Sequence, residues 1–305
     1  MPGTGHFCLN PCVGDNRGVN LQPTALADVP AGDIRLIVSD LDGTLLDENG
    51  QMPEELWAIV RELHDKGIVF APASGRQYWT LLDIFDPIRD GLTVIAENGA
   101  IVMHDGEEIS SLGLDYDTAA AVVRRVREQK DEGINGALVL CCQKTAYIER
   151  TDEDFTRNVI PYYHNTTQVP DLLSVISGME NGTWDDKLLK VAQFDYDDVS
   201  ISAESSMGRF SHTHQYVVSG KNWADLMHVD VDKGPAVAAL QRRLGVTEEQ
   251  TLIFGDFLND LGMMKHAAYS FAMANAHPQL LAAAHYVAPP NTEQGVLKVI
   301  RELVL

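Results

Sequence analysis

Long apolar runs and basic residues are both scarce in this sequence. A helix that crosses a bilayer needs ~20 consecutive apolar residues, and no run of that length occurs among the 305 residues. Residues 1–32 contain neither a basic start nor an apolar stretch behind it, so we expect no secretory signal. The chain is therefore not expected to reside in a membrane.

The small number of basic residues limits the possible partners. The chain has 23 Lys and Arg against 44 Asp and Glu, which gives a formal net charge of −21. Such a charge repels a phosphate backbone, so nucleic acid is not an expected partner. A small phosphorylated substrate is still compatible with it, because a bound metal ion and nearby cations can outweigh the field of the whole molecule. The sequence does not indicate an oligomeric state.

Only four cysteines are present, namely Cys8, Cys12, Cys141 and Cys142. Adjacent residues of a strand point to opposite faces, so the last two are badly placed for a disulfide with each other. We therefore expect a reducing, cytoplasmic location.

Apolar strands and amphipathic helices alternate over two parts of the chain. The segments "IRLIV", "IVFAPAS" and "LTVIAEN" are nearly unbroken apolar runs, which is typical of a parallel sheet with helices on both faces. Between the two parts the pattern becomes hairpin-like, as in "ALVLCCQKTAYIER". The sequence thus predicts an α/β domain over 33–105 and 230–305, an inserted α+β domain over 106–229, and a flexible extension over 1–32.

Polar side chains follow four of the predicted apolar strands. In an open parallel sheet, ligands bind outside the carboxyl ends of the strands. Any one of these residues alone would be read as a turn or a helix cap. Their recurrence at equivalent positions indicates a shared site instead, and its candidate residues are Asp40, Asp42, Ser74, Gly75, Arg76, Asn98, Asp256, Asn259 and Asp260.

The pair Asp40 and Asp42 needs a chemical reason, because two like charges so close together raise each other's cost of ionisation. Carboxylate oxygens are the ligands that Mg²⁺ prefers, and Asp40 would form a magnesium site together with Asp256 and Asp260. One carboxylate of the pair can then attack phosphorus as a nucleophile, while the other protonates the leaving oxygen. Lys233, at the start of a predicted helix, gains nothing from the helix dipole there, so a role in stabilising a phosphoryl group explains its position better.

Five motifs together resemble the haloacid dehalogenase superfamily. They are "DLDGTLL" at 40–46, "ASGR" at 73–76, "ENGA" at 97–100, "DKGPAVAAL" at 232–240 and "GDFLNDLGMM" at 255–264. Their order, and the long insert, resemble the Cof-type sugar-phosphatase branch, subfamily IIB. The resemblance implies a Rossmann-like core with an inserted α+β cap of the C2B type. The implied activity is Mg²⁺-dependent hydrolysis of small phosphomonoesters, such as sugar phosphates or related metabolites, through an aspartyl-phosphate.

The same resemblance implies a role for each matching residue. Asp40 would be the nucleophile and Asp42 the general acid and base. Ser74, Gly75, Lys233 and Asn259 would hold the phosphoryl group, and Arg76 and Asn98 would contact the substrate or join cap to core. The metal ligands would be Asp40, the backbone carbonyl of Asp42, Asp256, and Asp260 directly or through water.

Several further residues admit a functional and a structural interpretation. In the insert, Lys190, Lys221 and Trp223 could contact the substrate, but a solvated strand residue or a core residue is the more ordinary reading of each. Asn275 matches a family position at the rim of the site, where a structural role is equally compatible. His228 departs from the family, which often has an acidic residue there.

Two alternative functions stay open at the level of sequence. A phosphomutase with the same capped fold would return the phosphoryl group to a reoriented substrate. A non-catalytic phosphate-binding protein would need no nucleophile or acid, and the presence of Asp40, Asp42 and Asp256 argues against it.

Overall fold

The computed structural model of the chain describes residues 23–218 and 221–305, and strands and helices alternate through them. In chain order the strands are β1 (Leu36–Ser39), β2 (Val69–Pro72), β3 (Thr93–Ala96), β4 (Ile101–His104), β5 (Glu107–Ser111), β6 (Gly136–Cys142), β7 (Ala146–Ile148), β8 (Thr166–Gln168), β9 (Leu188–Asp195), β10 (His214–Val218), β11 (Trp223–His228), β12 (Thr251–Gly255), β13 (Tyr269–Met273) and β14 (Tyr286–Ala288). The helices are α1 (Leu56–Asp65), α2 (Tyr78–Ile84), α3 (Tyr116–Asp131), α4 (Glu153–Asn158), α5 (Leu172–Glu180), α6 (Val199–Ser206), α7 (Lys233–Leu244), α8 (Leu261–Met264), α9 (Pro278–Ala283) and α10 (Gly295–Leu303).

Five of the strands form one parallel sheet in the spatial order β14–β13–β12–β1–β2. Strands β1 and β12 are buried along their whole length, as strands covered by helices on both faces must be. Helix α1 buries Leu56, Ile59 and Leu63, which recur at the spacing of one helical face. The predicted α/β class is confirmed by this sheet.

The segment "LTVIAEN" departs from its predicted place in the parallel sheet. Its strand, β3, lies beside the edge strand β2 and joins it through an isolated parallel bridge between Ala73 and Ile95. On its other side β3 pairs with β4 in an antiparallel hairpin, and β5 continues this three-stranded sheet. The tight turn at Glu97–Gly99 reverses the chain directly after β3, so no crossover helix follows this strand.

The middle of the chain builds a separate six-stranded sheet, in the order β10–β11–β9–β6–β7–β8. Strands β6 and β7 form the antiparallel hairpin that the "QKT" turn predicts. Alternate residues of β6 enter two different apolar clusters, one containing Leu138 and Leu140 and the other Ala137 and Val139. Both faces of this sheet are therefore covered, which is the α+β arrangement expected of the insert.

The boundaries of the predicted domains stay predictions, but two details bear on them. Strand β5 lies beyond the expected boundary at 105 and pairs with β4. Within the predicted extension, the Thr24 backbone donates to the Val287 carbonyl, and Val29 is buried in the same apolar cluster as the parallel sheet. The rest of that extension, including Cys8 and Cys12, lies outside the described residues. No helix in the described ranges combines the length and apolar character that crossing a bilayer requires.

The six-stranded sheet faces the carboxyl ends of the parallel strands. Gln77 and Trp79, which follow β2, donate side-chain hydrogen bonds to the carbonyls of Asn165 and Gln143, at 3.0 and 3.1 Å. These contacts fix the two sheets against each other beside the predicted site. A cavity of about 1050 Å³ lies between them.

Candidate active site

Asp40 lies at the floor of this cavity, immediately after the buried strand β1. Its backbone N–H continues the sheet by donating to the Phe254 carbonyl at 3.0 Å. Three residues further on, Gly43 adopts φ +84°, and a Cβ at this position would collide with the Asp256 carboxylate. Glycine therefore allows the loop after β1 to pass close to the loop after β12, and brings Asp40 and Asp256 together.

Lys233 connects two of the predicted site carboxylates. Its Nζ lies 2.5 Å from Asp40 Oδ1 and 2.7 Å from Asp260 Oδ1, and its side chain is fully buried. Burial lowers the pKa of Lys233, but the charges of Asp260 and Asp40 outweigh that effect and raise the pKa above its usual range. The lysine is therefore a fixed cation at the floor of the cavity.

The carboxylates exceed the cations at this point. One oxygen each of Asp40, Asp256 and Asp260 lies within 4.8 Å of the others, and Lys233 is the ammonium that contacts the group. Burial raises the pKa of Asp40, and burial together with the charge of Asp260 raises the pKa of Asp256 to about 6. Converging hard oxygens with surplus negative charge fit a divalent cation such as Mg²⁺.

Asp260 differs from the other two acids, because both of its oxygens already have protein partners. Oδ1 pairs with Lys233, and Oδ2 accepts from the backbone N–H groups of Asp256 and Phe257 at 3.0 and 3.2 Å. It is also completely buried. These bonds hold the loop after β12, so Asp260 orients Asp256 and Lys233.

Asp42 has a more open position than Asp40. Its carboxylate accepts two hydrogen bonds from Arg76, at 2.6 and 3.1 Å, and about 60% of its side chain is exposed. This fork-like pair places Arg76 and Asp42 on the cavity wall. In this arrangement Asp42 is accessible to a molecule that enters the cavity.

The remaining predicted residues line the cavity around these groups. Asn98 has φ +57° and its side chain touches the Cα side of Gly75, where a Cβ would lie only 3.0 Å from the Asn98 amide. Asn259 donates to Asn98 Oδ1 at 3.3 Å. The Ser74 hydroxyl accepts from the Arg76 backbone N–H at 3.2 Å. The structure thus brings all of the predicted site residues together.

For the residues with two interpretations, the structure shows whether each side chain is buried, packed or exposed. Lys190 is not a solvated strand residue, because only 5% of its side chain is exposed. Trp223 packs against the apolar cluster that contains Phe194, so its structural interpretation as a core residue applies. Asn275 donates to the Gly43 carbonyl at 2.8 Å and so supports the loop after β1. Lys221 is exposed and is not among the described residues that line the cavity.

Lys190 belongs to a second ionic cluster, which the sequence reading did not find. Its Nζ lies 2.8 Å from Glu97 Oε2, 3.3 Å from Asp225 Oδ1 and 3.4 Å from the Gly75 carbonyl oxygen. Burial raises the pKa of Glu97, and the neighbouring Lys190 ammonium only partly offsets that effect. Only the spacing of lysine and acid on neighbouring strands β9 and β11 could have suggested part of this cluster.

Other residues contribute to the site although they were not among the predicted candidates. Thr44 donates to Asp256 Oδ1 at 3.1 Å and helps to orient it. The far wall of the cavity includes Tyr162, Gln215 and Asp225 from the six-stranded sheet and its connections. These residues come from distant parts of the chain, so their convergence depends on the packing of the two sheets.

Comparisons with known proteins agree with this arrangement. The sequence model of the haloacid dehalogenase-like hydrolase family matches residues 37–300. The 5-amino-6-(5-phospho-D-ribitylamino)uracil phosphatase YbjI of Escherichia coli is 30% identical over 275 residues, which cover 89% of this chain and 96% of the relative. A crystal structure of a Eubacterium rectale protein superposes with a TM-score of 0.76 at 25% identity, covering 90% and 100% of the two chains.

A further solved structure agrees with this fold. It is the subclass IIB sugar phosphatase BT4131, which superposes with a TM-score of 0.65 at 21% identity and covers 88% of this chain and 98% of its own. At that identity the likeness concerns the fold, with its parallel core sheet and separate second sheet. The chain belongs to the haloacid dehalogenase-like hydrolases, and the predicted family and phosphatase class are confirmed.

Proposed function

We propose that this enzyme hydrolyses small phosphomonoesters with the help of Mg²⁺, through a phosphorylated Asp40. The observation that carries the proposal is the position of Asp40, which is buried at the floor of an open cavity and paired with Lys233 at 2.5 Å. A carboxylate that is held by a fixed cation and meets the cavity can attack a phosphorus atom that enters from the open side.

The proposed reaction has two displacement steps at phosphorus. An oxygen of Asp40 forms a bond to phosphorus while the bond to the substrate's ester oxygen breaks, and Asp42 gives its proton to that leaving oxygen. Asp42 then takes a proton from a water molecule, whose oxygen attacks the phosphorus and releases phosphate from Asp40. The exposed position of Asp42 beside Arg76 supports this assignment, because the leaving group must depart towards the cavity mouth.

The phosphoryl group is proposed to lie between Lys233, Ser74, the Gly75 backbone and Asn259. The lysine supplies a fixed positive charge, and the neutral groups supply hydrogen bonds, as phosphoryl transfer requires. Arg76 and Asn98 would contact the substrate at the edge of this position. All of these residues except the fully buried Lys233 line the cavity in the structure.

The proposed ligands of Mg²⁺ are Asp40, Asp256 and the backbone carbonyl of Asp42. Asp260 is proposed to act indirectly, by orienting these ligands or by binding a water molecule on the ion. The bonds from Asp260 to Lys233 and to the loop after β12 favour the indirect role. When bound, the ion would neutralise part of the carboxylate charge and polarise a phosphoryl oxygen.

The substrate class is proposed more broadly than sugar phosphates. The Escherichia coli relative is named for a substrate in which an amino group links a phosphorylated ribityl chain to a uracil ring. The cavity here, at about 1050 Å³, lies at the upper end of the ~300–1,000 Å³ usual for small-molecule sites. A cytoplasmic location fits the adjacent cysteines Cys141 and Cys142, which are both buried and free.

Phosphate release from a panel of sugar phosphates and nucleotides tests the proposal. We expect release that needs Mg²⁺, stops with EDTA, and is lost in Asp40→Asn. Asp65→Asn is the matched control, because Asp65 is an exposed acid at the end of α1, distant in the fold from the cavity. Release that persists in Asp40→Asn, or that is unaffected by EDTA, would contradict the proposal.

A further inference from the structure

Exposed apolar side chains gather at the mouth of the active-site cavity. Among the described residues eight large apolar side chains are exposed, and five of these line this one cavity. A cluster of this kind indicates a binding surface, whereas single exposed apolar residues are ordinary. We call these five residues the apolar rim, and they are Tyr162, Val217, Val218, Phe257 and Leu258.

The apolar rim has contributions from both sides of the cavity. Tyr162 and the end of β10 belong to the six-stranded sheet and its connections, whereas Phe257 lies in the loop after β12 of the parallel sheet. Tyr162 and Phe257 are 58% and 54% exposed. An apolar group between them would remove both aromatic surfaces from water at once.

Neighbouring groups hold both aromatic rings in place. The Tyr162 ring lies edge-on to Trp223 at 5.3 Å between centroids, and its carbonyl accepts from the Thr80 hydroxyl at 3.2 Å. The Phe257 ring lies edge-on to His277 at 5.6 Å. These contacts leave large parts of the two rings open, so they form a prepared surface for a flat partner.

Buried carboxylates and exposed apolar groups line different parts of the cavity. The side chain of Asp40, at the floor, is 9% exposed, and that of Asp225, which is held by Lys190, is 13% exposed. The exposed part of the lining combines the apolar rim with the polar residues Asp42 and Asn259. A ligand that matches this lining carries a phosphate at the floor and, outside it, a group that has both apolar faces and hydrogen-bonding atoms.

We infer that the substrate is a phosphomonoester with a flat heterocyclic ring remote from the phosphate, and that Tyr162 and Phe257 receive this ring. The inference rests on the proposed function, because the phosphate is assigned to the floor of the cavity. A sugar phosphate without a ring substituent would leave the apolar rim in water. Aromatic surfaces on opposite sides of the mouth favour a flat ring over a flexible alkyl chain.

Matched substrates provide the test. Uridine 5′-monophosphate and adenosine 5′-monophosphate share the ester and the ribose of ribose 5-phosphate and differ from it by the ring. We expect kcat/KM to be at least about tenfold higher for one of the nucleotides, since burial of an aromatic face can supply that factor. In Tyr162→Ala and in Phe257→Ala the ratio of nucleotide to ribose 5-phosphate should fall towards one.

Ile201→Ala is the matched control, because Ile201 is a 74% exposed apolar residue of α6 that does not line the cavity. Its ratio should equal that of the unaltered protein. A ratio near one in the unaltered protein, or a ratio that Tyr162→Ala and Phe257→Ala both leave unchanged, would overturn the inference. Faster hydrolysis of octyl phosphate than of either nucleotide would overturn the assignment of a ring.

A binding measurement separates this inference from the proposed function. Calorimetry on Asp40→Asn with Mg²⁺ compares the affinities of the same three compounds without turnover. Tighter binding of a nucleotide, reduced by the additional Tyr162→Ala substitution, would support the apolar rim even if no phosphate release were observed. Equal affinities of all three compounds would overturn the inference even in an active phosphatase.

Discussion

Two buried lysines, Lys233 and Lys190, have similar surroundings and different positions in the molecule. Each side chain is at most 5% exposed, and each ammonium lies between two carboxylates at 2.5–3.3 Å. Lys233 lies at the end of the parallel sheet, at the floor of the cavity. Lys190 lies on β9, where the six-stranded sheet meets the turn after β3. The carboxylates that they contact are Asp40, Asp260, Glu97 and Asp225.

The difference between the two clusters is a third acid, because both clusters reach the cavity, the Lys190 cluster through Asp225. Asp256 adds a carboxylate to the Lys233 cluster, so that three carboxylate oxygens converge as a candidate cation site. In the Lys190 cluster the ammonium reaches the carbonyl of Gly75 instead, and Glu97 is almost completely buried. The Lys233 cluster thus has carboxylate charge left over for a cation, whereas the Lys190 cluster joins two parts of the fold.

The largest expected effect concerns the nucleophile of the Lys233 cluster. Asp40→Asn retains the shape of the side chain but removes the attacking oxygen's charge, so turnover should fall by ~10³-fold or more. Steady-state phosphate release measures this loss, and circular dichroism shows whether the variant is folded. Asp225→Asn is the matched change in the Lys190 cluster, and we expect it to retain turnover of at least one substrate. Comparable loss in both variants would remove the distinction between the clusters.

Lys190→Met should mainly lower the stability. It leaves two buried carboxylates without their cation, and removal of one partner from a buried ion pair costs about 3–5 kcal/mol. Urea unfolding gives the free energy of unfolding, and the loss should be the same with and without Mg²⁺. Adding Glu97→Gln to Lys190→Met should restore much of the lost free energy of unfolding, because the buried carboxylate charge of Glu97 is then also removed. If Lys190→Met unfolds like the unaltered protein, the cluster does not hold the two sheets together.

Asp42→Asn should slow turnover by ~100-fold if Asp42 transfers the proton. Pre-steady-state kinetics should show a small effect on phosphorylation by substrates with very good leaving groups, because these need no proton. Substrates with poor leaving groups should show a large effect. An equal loss for both types of substrate would contradict the assigned role.

Mg²⁺ should raise the stability of the unaltered protein through the Lys233 cluster. At 100 times its Kd the ion adds ~2.7 kcal/mol to the free energy of unfolding. Asp256→Asn should abolish most of this gain, whereas Asp225→Asn should retain it. Thermal unfolding with a Mg²⁺ titration measures both. An equal gain in the two variants would show that Asp256 does not bind the ion.

The Lys233 cluster could be predicted from the sequence because local rules determine where its residues lie. Asp40 and Asp256 directly follow apolar strands, and the ends of parallel strands meet at one edge of a sheet. Lys233 begins a helix, as predicted, and the structure shows that Asp232 caps that helix by accepting from the Gly234 N–H. Each of these features can be read from a few neighbouring residues.

The Lys190 cluster and the apolar rim could not be predicted in the same way. Lys190 in "LLKVAQF" has the pattern of a strand with one solvated face, and only the packing of β9 against the turn at Glu97 buries it. That turn also reverses the chain after β3, where Glu97, Asn98 and Gly99 all adopt positive φ, so that β4 and not a crossover helix follows. Tyr162 and Phe257 meet at one cavity through the same packing of the two sheets, which no local pattern encodes.

Rapid acid quenching during turnover tests the central claim most directly. Peptide mass spectrometry should then find one phosphoryl group on the peptide that contains Asp40, formed only with Mg²⁺ and removed by hydroxylamine, which cleaves acyl phosphates. The Asp40→Asn protein should show no such peptide. Phosphate release at the normal rate with no phosphorylated Asp40 at any quench time, or with the phosphoryl group on another residue, would contradict the account.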